Sequence, residues 1–203
     1  MKMARANKSL KRLVHIYREG NTEECYLRAA FNDRYRGIKV DYKPVLKGDL
    51  KRIMQNLEQD VKRLPKNLSI DVFVVFDMDV IHRNKLLRQY NDLKEKLCGI
   101  FANIYFIESM PCIEFWFLLH FVYTDKYILE CENVVKELDN PNLMPGYSTD
   151  GRYQASVYNA LKDKTAGAIR NAKRILNKER VASERYSYSL MHQLFERMDV
   201  VIQ

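Results

Sequence analysis

Ser69-Ile70-Asp71-Val72-Phe73-Val74-Val75-Phe76-Asp77-Met78-Asp79 decides how the rest of the chain is read. Val72 to Phe76 is an unbroken run of β-branched and aromatic residues, the pattern of a strand buried on both faces of a parallel sheet. The run ends in two carboxylates at alternate positions, Asp77 and Asp79. Alternate residues of a strand share a face. Both acids are therefore expected to converge where the strand leaves the sheet, the edge at which open α/β sheets bind ligands. A lone Asp-x-Asp is more often one helix cap and one solvated acid. The surrounding sequence argues for more.

Working outward, Leu13 to Tyr17 has the character of a first strand, and Arg18 to Thr22 of the turn leaving it. Thr22 is expected to cap a helix with Glu23 and Glu24 in its first turn. Gly37 to Val45 alternates partly and is assigned to a second strand. Gly48-Asp49 opens a helix with Leu50, Ile53, Met54, Leu57 and Val61 at helical spacing, stopped by Pro65. After the opening stretch come a charged helix (84–98) with Leu86, Leu87, Tyr90, Leu93 and Leu97 inward, and a fourth strand, Asn103 to Glu108. Strands alternating with helices imply an α/β fold, a parallel sheet with helices on both faces. Pro141 to Gly151 is a loop of turn residues that closes this core. The expected organisation is a basic arm (1–11), an α/β core (12–140) and a C-terminal helical extension (141–203). In that extension Tyr158, Leu161, Ala168, Ala172 and Ile175 mark one amphipathic helix and Leu190 to Val201 another.

Composition narrows the class. The chain has 203 residues, 47% hydrophobic and 30% charged, with a formal net charge of +8. That suits a folded domain and leans towards a polyanionic partner. Residues 1–36 hold nine Lys/Arg against four acids and residues 162–185 eight against three, whereas 125–150 hold six acids against two basic residues. Two basic stretches form the electrostatic footprint that nucleic acid would need, though a solvated surface has the same composition. Cys25, Cys98, Cys112 and Cys131 form no Cys-x-x-Cys pair, so reduced thiols in a cytoplasmic protein are expected. The most apolar stretch, Cys112 to Tyr123, is twelve residues long and contains Glu114 and His120. It is too short and polar to span a bilayer.

Three clusters carry the chemistry. Glu19-Gly20-x-Thr22-Glu23 follows the first strand. Glu23 alone is an ordinary first-turn acid, but Glu19 lies at the same sheet edge as Asp77 and Asp79. Carboxylates crowded there are unfavourable unless protonated or bridged by a cation. Oxygen donors in that number suit Mg²⁺ or Mn²⁺ rather than zinc. The third cluster is Ser109-Met110-Pro111-Cys112-Ile113-Glu114-Phe115-Trp116-Phe117-Leu118-Leu119-His120-Phe121. Pro111 suits a first helical turn. Glu114 in so apolar a helix needs an Arg, a helix N-terminus or a metal as partner. His120 is expected to be a satisfied core histidine. No Gly-x-Ser-x-Gly, P-loop or His-Glu-x-x-His competes, so any ATP hydrolysis would come from a partner.

Glu-Gly-x-Thr-Glu after strand one and Asp-x-Asp after a later hydrophobic strand resemble the Toprim domain of topoisomerases, primases and OLD-type nucleases. The run from Ser109 to Phe121 resembles the RloB family, found beside restriction–modification genes. The resemblance spans residues 12–200 and is weakest in the C-terminal third, where Tyr186-Ser187-Tyr188-Ser189 replaces an Asn-Pro-x-Thr-like turn. It implies a Toprim-like core and a Mg²⁺-dependent endonuclease acting on DNA or structured RNA such as tRNA. It further implies a role in antiviral, abortive-infection defence with a companion ABC/SMC-like ATPase. By motif, Glu19 is the metal ligand or general acid/base, Asp77 and Asp79 hold the metal, Glu23 is the extra acid and Glu114 the family-specific one. Arg18, Lys173 and Arg174 are candidate nucleic-acid contacts. No membrane contact is implied, and a homo-oligomer is compatible with the sequence. Two readings compete: a non-catalytic nucleic-acid-binding subunit with a structural metal, and a phosphoacceptor receiver domain. The receiver would want paired acids after strand one, which Glu19-Gly20 does not supply.

Overall fold

A computed structural model describes residues 12–44, 46–65, 69–179 and 185–201. The basic arm of residues 1–11 and Val45 lie outside the described residues. Five strands form one sheet in the order β2-β1-β3-β4-β5: β1 Leu13–Tyr17, β2 Lys39–Tyr42, β3 Ile70–Asp77, β4 Ile104–Met110 and β5 Tyr188–Ser189. β2, β1, β3 and β4 are parallel, with Ile16 opposite Phe73 and Val75 opposite Ile107. β5 runs antiparallel against the end of β4. The parallel sheet with helices on both faces is the fold read from the strand–helix alternation.

Burial follows the two-residue period of each strand. Val14, Ile16, Phe73, Val75 and Ile107 enter one core, while Tyr17, Val72, Val74, Phe76 and Phe106 enter the other. The second core is closed by α2 (Leu50–Lys62), α3 (Asp79–Arg83) and α4 (Leu87–Ile100). The first is closed by α1 (Asn21–Arg34), α5 (Ile113–Leu118), α6 (Cys131–Leu138), α7 (Gly151–Leu161), α8 (Thr165–Asn177) and α9 (Met191–Val201). Residues 141–203 supply α7, α8, β5 and α9, so their apolar stripes share the core of β1 and β3. Trp116 lies at its centre, donating Nε1–H to the Tyr26 hydroxyl at 2.9 Å and stacking on Phe195.

Several local expectations are corrected. Gly20, not Thr22, is the N-cap of α1, and the Thr22 hydroxyl instead accepts from Gln154 Nε2 at 2.8 Å. A hydrogen bond to α7 has displaced the local cap. β4 runs on through Ser109 and Met110, because β5 and β3 extend its ladder there. Pro111 consequently precedes the Cys112 N-cap rather than opening the helix. The charged helix expected from residue 84 begins only at Leu87, after a turn in which Lys85 has φ 57°, and a short helix not expected from the sequence, α3, precedes that turn. Leu87 is left 40% exposed, while Tyr90 and Leu97 are buried. The stripe from Tyr158 to Ile175 belongs to two helices joined by a 3₁₀ turn, Lys162–Lys164. Asp49 does cap α2, accepting from the Arg52 N–H at 2.9 Å.

Candidate functional site

β1 ends at Tyr17 and β3 at Asp77, side by side at the carboxyl edge of the sheet, as the parallel ladder requires. The chain beyond β4 folds over the same edge. Met78 N–H donates to the carbonyls of Ser109 and Pro111, both at 2.9 Å, and Asp79 N–H to Pro111 at 3.1 Å. This lacing sets the start of α5 against the end of β3. A cleft of about 280 Å³ results, lined by Glu19, Glu23, Asp77, Glu114 and Cys131 together with Gly20. Among the described residues, no basic side chain lines it.

Glu19, Asp77 and Glu23 are held by backbone N–H groups, and Glu114 by a side chain. Glu19 Oε1 accepts from the Asp77 N–H at 3.0 Å, joining the turn after β1 to the last residue of β3. Asp77 Oδ1 accepts from the Ile113 N–H at 3.0 Å. Glu23, third residue of α1, folds back to the Gly20 N–H as a capping glutamate does. A Cβ on residue 20 would lie 2.9 Å from Glu23 Oε2, so glycine is the residue that fits. Glu114 Oε1 accepts from the Tyr147 hydroxyl at 3.1 Å, and its Oε2 lies 3.3 Å from Cys131 Sγ.

The electrostatics are those of like charges packed together. Burial pushes Glu19 up to about 8, reinforced by Glu23 and Asp79 and opposed by the Asp77 N–H. Burial likewise lifts Glu114 to about 7, against the pull of its own N–H and of Tyr147. Asp77 is driven well above the usual carboxylate range by burial, then by Glu23, Glu19 and Glu114. Glu23 is raised by burial, tempered by its backbone contacts and by Arg18.

Asp79 stands apart. It is the first residue of α3, receives the Val80 N–H at 2.5 Å and pairs with Arg83 at 3.2 Å. The chain leaves strand geometry after Asp77, so the alternate-residue rule does not carry over, and Asp79 acts on the cleft as a nearby charge. Arg18 is buried, donates to the Lys43 carbonyl at 2.8 Å and pairs with Glu24. Lys173 pairs with Glu196, and the Arg174 guanidinium lies over the Tyr123 ring at 4.0 Å. Both sit exposed on α8, whose Asn171 ties it to the Leu119 carbonyl just past α5.

The expectation of four reduced thiols is overturned. Cys112 and Cys131 form a disulfide across 19 residues, with Cα atoms 5.6 Å apart, while Cys25 and Cys98 are free. Sequence spacing cannot reveal a bridge that depends on α6 packing against α5. His120 is buried, Nδ1 lying 2.9 Å from the Trp116 carbonyl, and burial lowers it to about 4. It is a core residue. Tyr147 and Cys131 were not singled out by sequence. Tyr147 lies in the Pro/Gly/Ser loop and carries no local signal.

Oxygen donors of this kind fit a hard cation such as Mg²⁺ or Mn²⁺. A divalent charge among buried carboxylates that repel one another would restore them to their ionised forms. Glu19 and Asp77 each keep a second oxygen for it. Among the described residues, no three carboxylates bring one ligand atom each within 4.8 Å of one another; Cys112, Glu114 and Cys131 do. The acids therefore suit an ion that retains several waters, as Mg²⁺ does.

Fold and site define a mostly parallel α/β protein with an acidic cleft at the carboxyl edge of its sheet. Within that class, the RloB-like protein family model matches residues 14–198, and the chain belongs to this family. No curated protein and no solved structure matched the chain. No helix among the described residues is long and apolar enough to cross a membrane.

Proposed function

We propose that the protein is a Mg²⁺- or Mn²⁺-dependent, Toprim-type endonuclease. Its substrate is DNA or structured RNA such as tRNA, and it serves as the effector of an antiviral, abortive-infection system with an ABC/SMC-like ATPase. The observation that carries this reading is the grouping of Glu19, Glu23, Asp77 and Glu114 around one cleft that, among the described residues, no basic side chain lines. Buried acids without a counter-charge are costly, and a site for a cation and a phosphate is the simplest use of them.

When bound, the cation supplies charge neutralisation at phosphorus and activation of water. The chain's own residues do the rest. Asp77, fixed through the Ile113 N–H, and Glu23, fixed through Gly20, orient the donor oxygens. Glu19, through its hold on the Asp77 N–H, stays beside the ligand it serves, as a further metal ligand or as a general acid or base. Tyr147 aims the Glu114 carboxylate. Arg170, Lys173 and Arg174, exposed on α8, present positive charge to a phosphate backbone.

Incubation of the protein, alone and with a companion ABC/SMC-like ATPase, with a duplex, single-stranded and tRNA panel in Mg²⁺ or Mn²⁺ tests this. Cleavage is expected, and Asp77→Asn or Glu19→Gln should lower it by about a hundredfold or more. Asp79→Asn should lower it less. Absence of cleavage in every arm, or undiminished cleavage by Asp77→Asn, would overturn the reading.

A further inference from the structure

The acidic cleft has one wall of different chemistry. Cys112 caps α5 and Cys131 opens α6, and the Sγ atoms of both lie within 4.8 Å of a Glu114 oxygen. The contact between Cys131 Sγ and Glu114 Oε2, at 3.3 Å, is odd for a disulfide. A disulfide sulfur has no proton to donate, so wherever Glu114 is ionised two acceptors face each other. A thiol donating to the carboxylate, or a cation held between them, makes the same placement favourable. The elements are also close enough: with Cα atoms 5.6 Å apart, side-chain rotation alone can part the sulfurs by the roughly 3.8 Å that two Zn–S bonds span.

We propose that Cys112, Cys131 and Glu114 form, once the disulfide is reduced, a site for a thiophilic divalent cation of the zinc class, bordering the acidic cleft. A dithiol reductant breaks the Cys112–Cys131 bond, transferring two electrons and two protons, and leaves as its own cyclic disulfide. Binding then displaces both thiol protons to solvent. Two thiolates and one carboxylate give three ligands of a tetrahedral site, the fourth position open to the cleft. Glu114 cannot then serve the hard cation of the cleft as before, so the redox state of the pair decides which metal the carboxylate faces. The proposal shares Glu114 with the nuclease reading but does not need cleavage to be tested.

The experiment uses the full chain with Cys25→Ser and Cys98→Ser, so that the remaining thiols are the pair in question. Reduced protein, freed of reductant under nitrogen, is titrated with Co²⁺ and followed by thiolate-to-cobalt charge-transfer absorption, with Zn²⁺ as competitor. One Co²⁺ per chain with tetrahedral bands, displaced by Zn²⁺, is expected, and the disulfide form should show no such absorption. Cys131→Ser should weaken binding by more than the roughly tenfold cost of losing an outer-shell partner. Glu114→Gln, which keeps both thiols and the ability to form the bridge, should weaken it by about tenfold. Circular dichroism shows whether each variant is folded. Reduced, folded protein without charge-transfer absorption overturns the proposal, as does an equal affinity in Cys131→Ser or Glu114→Gln. Absence of cleavage in the nuclease assay with the absorption intact would instead count against the nuclease reading alone.

Discussion

β3 carries an aspartate near each end, Asp71 fully buried and Asp77 half-buried, and the two are treated oppositely. Asp71, fully buried, lies between Arg12 at 3.0 Å and Arg197 at 2.9 Å. Asp77, six residues on, lies among Glu19, Glu23 and Glu114. Glu108 on the neighbouring strand resembles Asp71: it receives the Tyr90 and Tyr188 hydroxyls and the Lys94 ammonium. The chain therefore compensates a buried carboxylate where structure alone is at stake. At the carboxyl edge it has left several uncompensated, which burial and repulsion make costly. Stability given up at one place and not at comparable ones marks function.

Stability measurements can break the comparison. The largest effect is expected from Asp71→Ala, which leaves two arginines facing each other. Both side chains are 29% exposed, so the loss should be about 3 kcal/mol, the low end for a broken buried pair. Asp77→Asn, which can still accept from the Ile113 N–H, should be neutral or stabilising without metal. Urea unfolding in EDTA compares the two, and an equal loss in both would remove the distinction.

A smaller effect comes from pH. Glu19 binds its proton to about 8 in the fold, against an ordinary 4.5, and Glu114 to about 7. Between these values the folded chain holds more protons than the unfolded one, so stability falls as pH rises, by up to about 1.4 kcal/mol per pH unit for each proton. His15, His82, His120 and His192, all lowered by burial, act in the opposite sense, but only as pH falls through about 6.5. Melts in EDTA from about pH 7 to 9 should thus show a decline on the order of 1–2 kcal/mol, which saturating Mg²⁺ reduces. A flat profile in EDTA would mean the acids are compensated after all.

The smallest expected effect sharpens the site itself. Tyr147→Phe removes the one hydroxyl held at 3.1 Å from Glu114 and should cost about 1 kcal/mol. It should also shift the Mn²⁺ titration by a few-fold, and calorimetry reads both. No change in Mn²⁺ affinity would assign Tyr147 to the core rather than to the cleft.

What the amino-acid sequence determined by itself is local and periodic. Val72 to Phe76, buried on both faces, marks the central strand, because a strand between two helical layers has no polar side. The stripe from Leu50 to Val61 and the Asp49 cap place α2, and the motifs at Glu19, Asp77 and Glu114 name the family and most of the cleft. The tertiary structure decided whatever depends on chain segments far apart. It set Tyr147 on Glu114, bridged Cys112 to Cys131 and gave Asp71 its two arginines from opposite ends of the chain. It added β5 as an antiparallel strand from a segment of only two residues. It also took Asp79 out of the cleft, since hydrogen bonds from Met78 and Asp79 to the Ser109–Pro111 turn end the strand at Asp77. Side-chain period is written into neighbouring residues, whereas contacts closed between segments apart in the chain leave no mark within either segment alone.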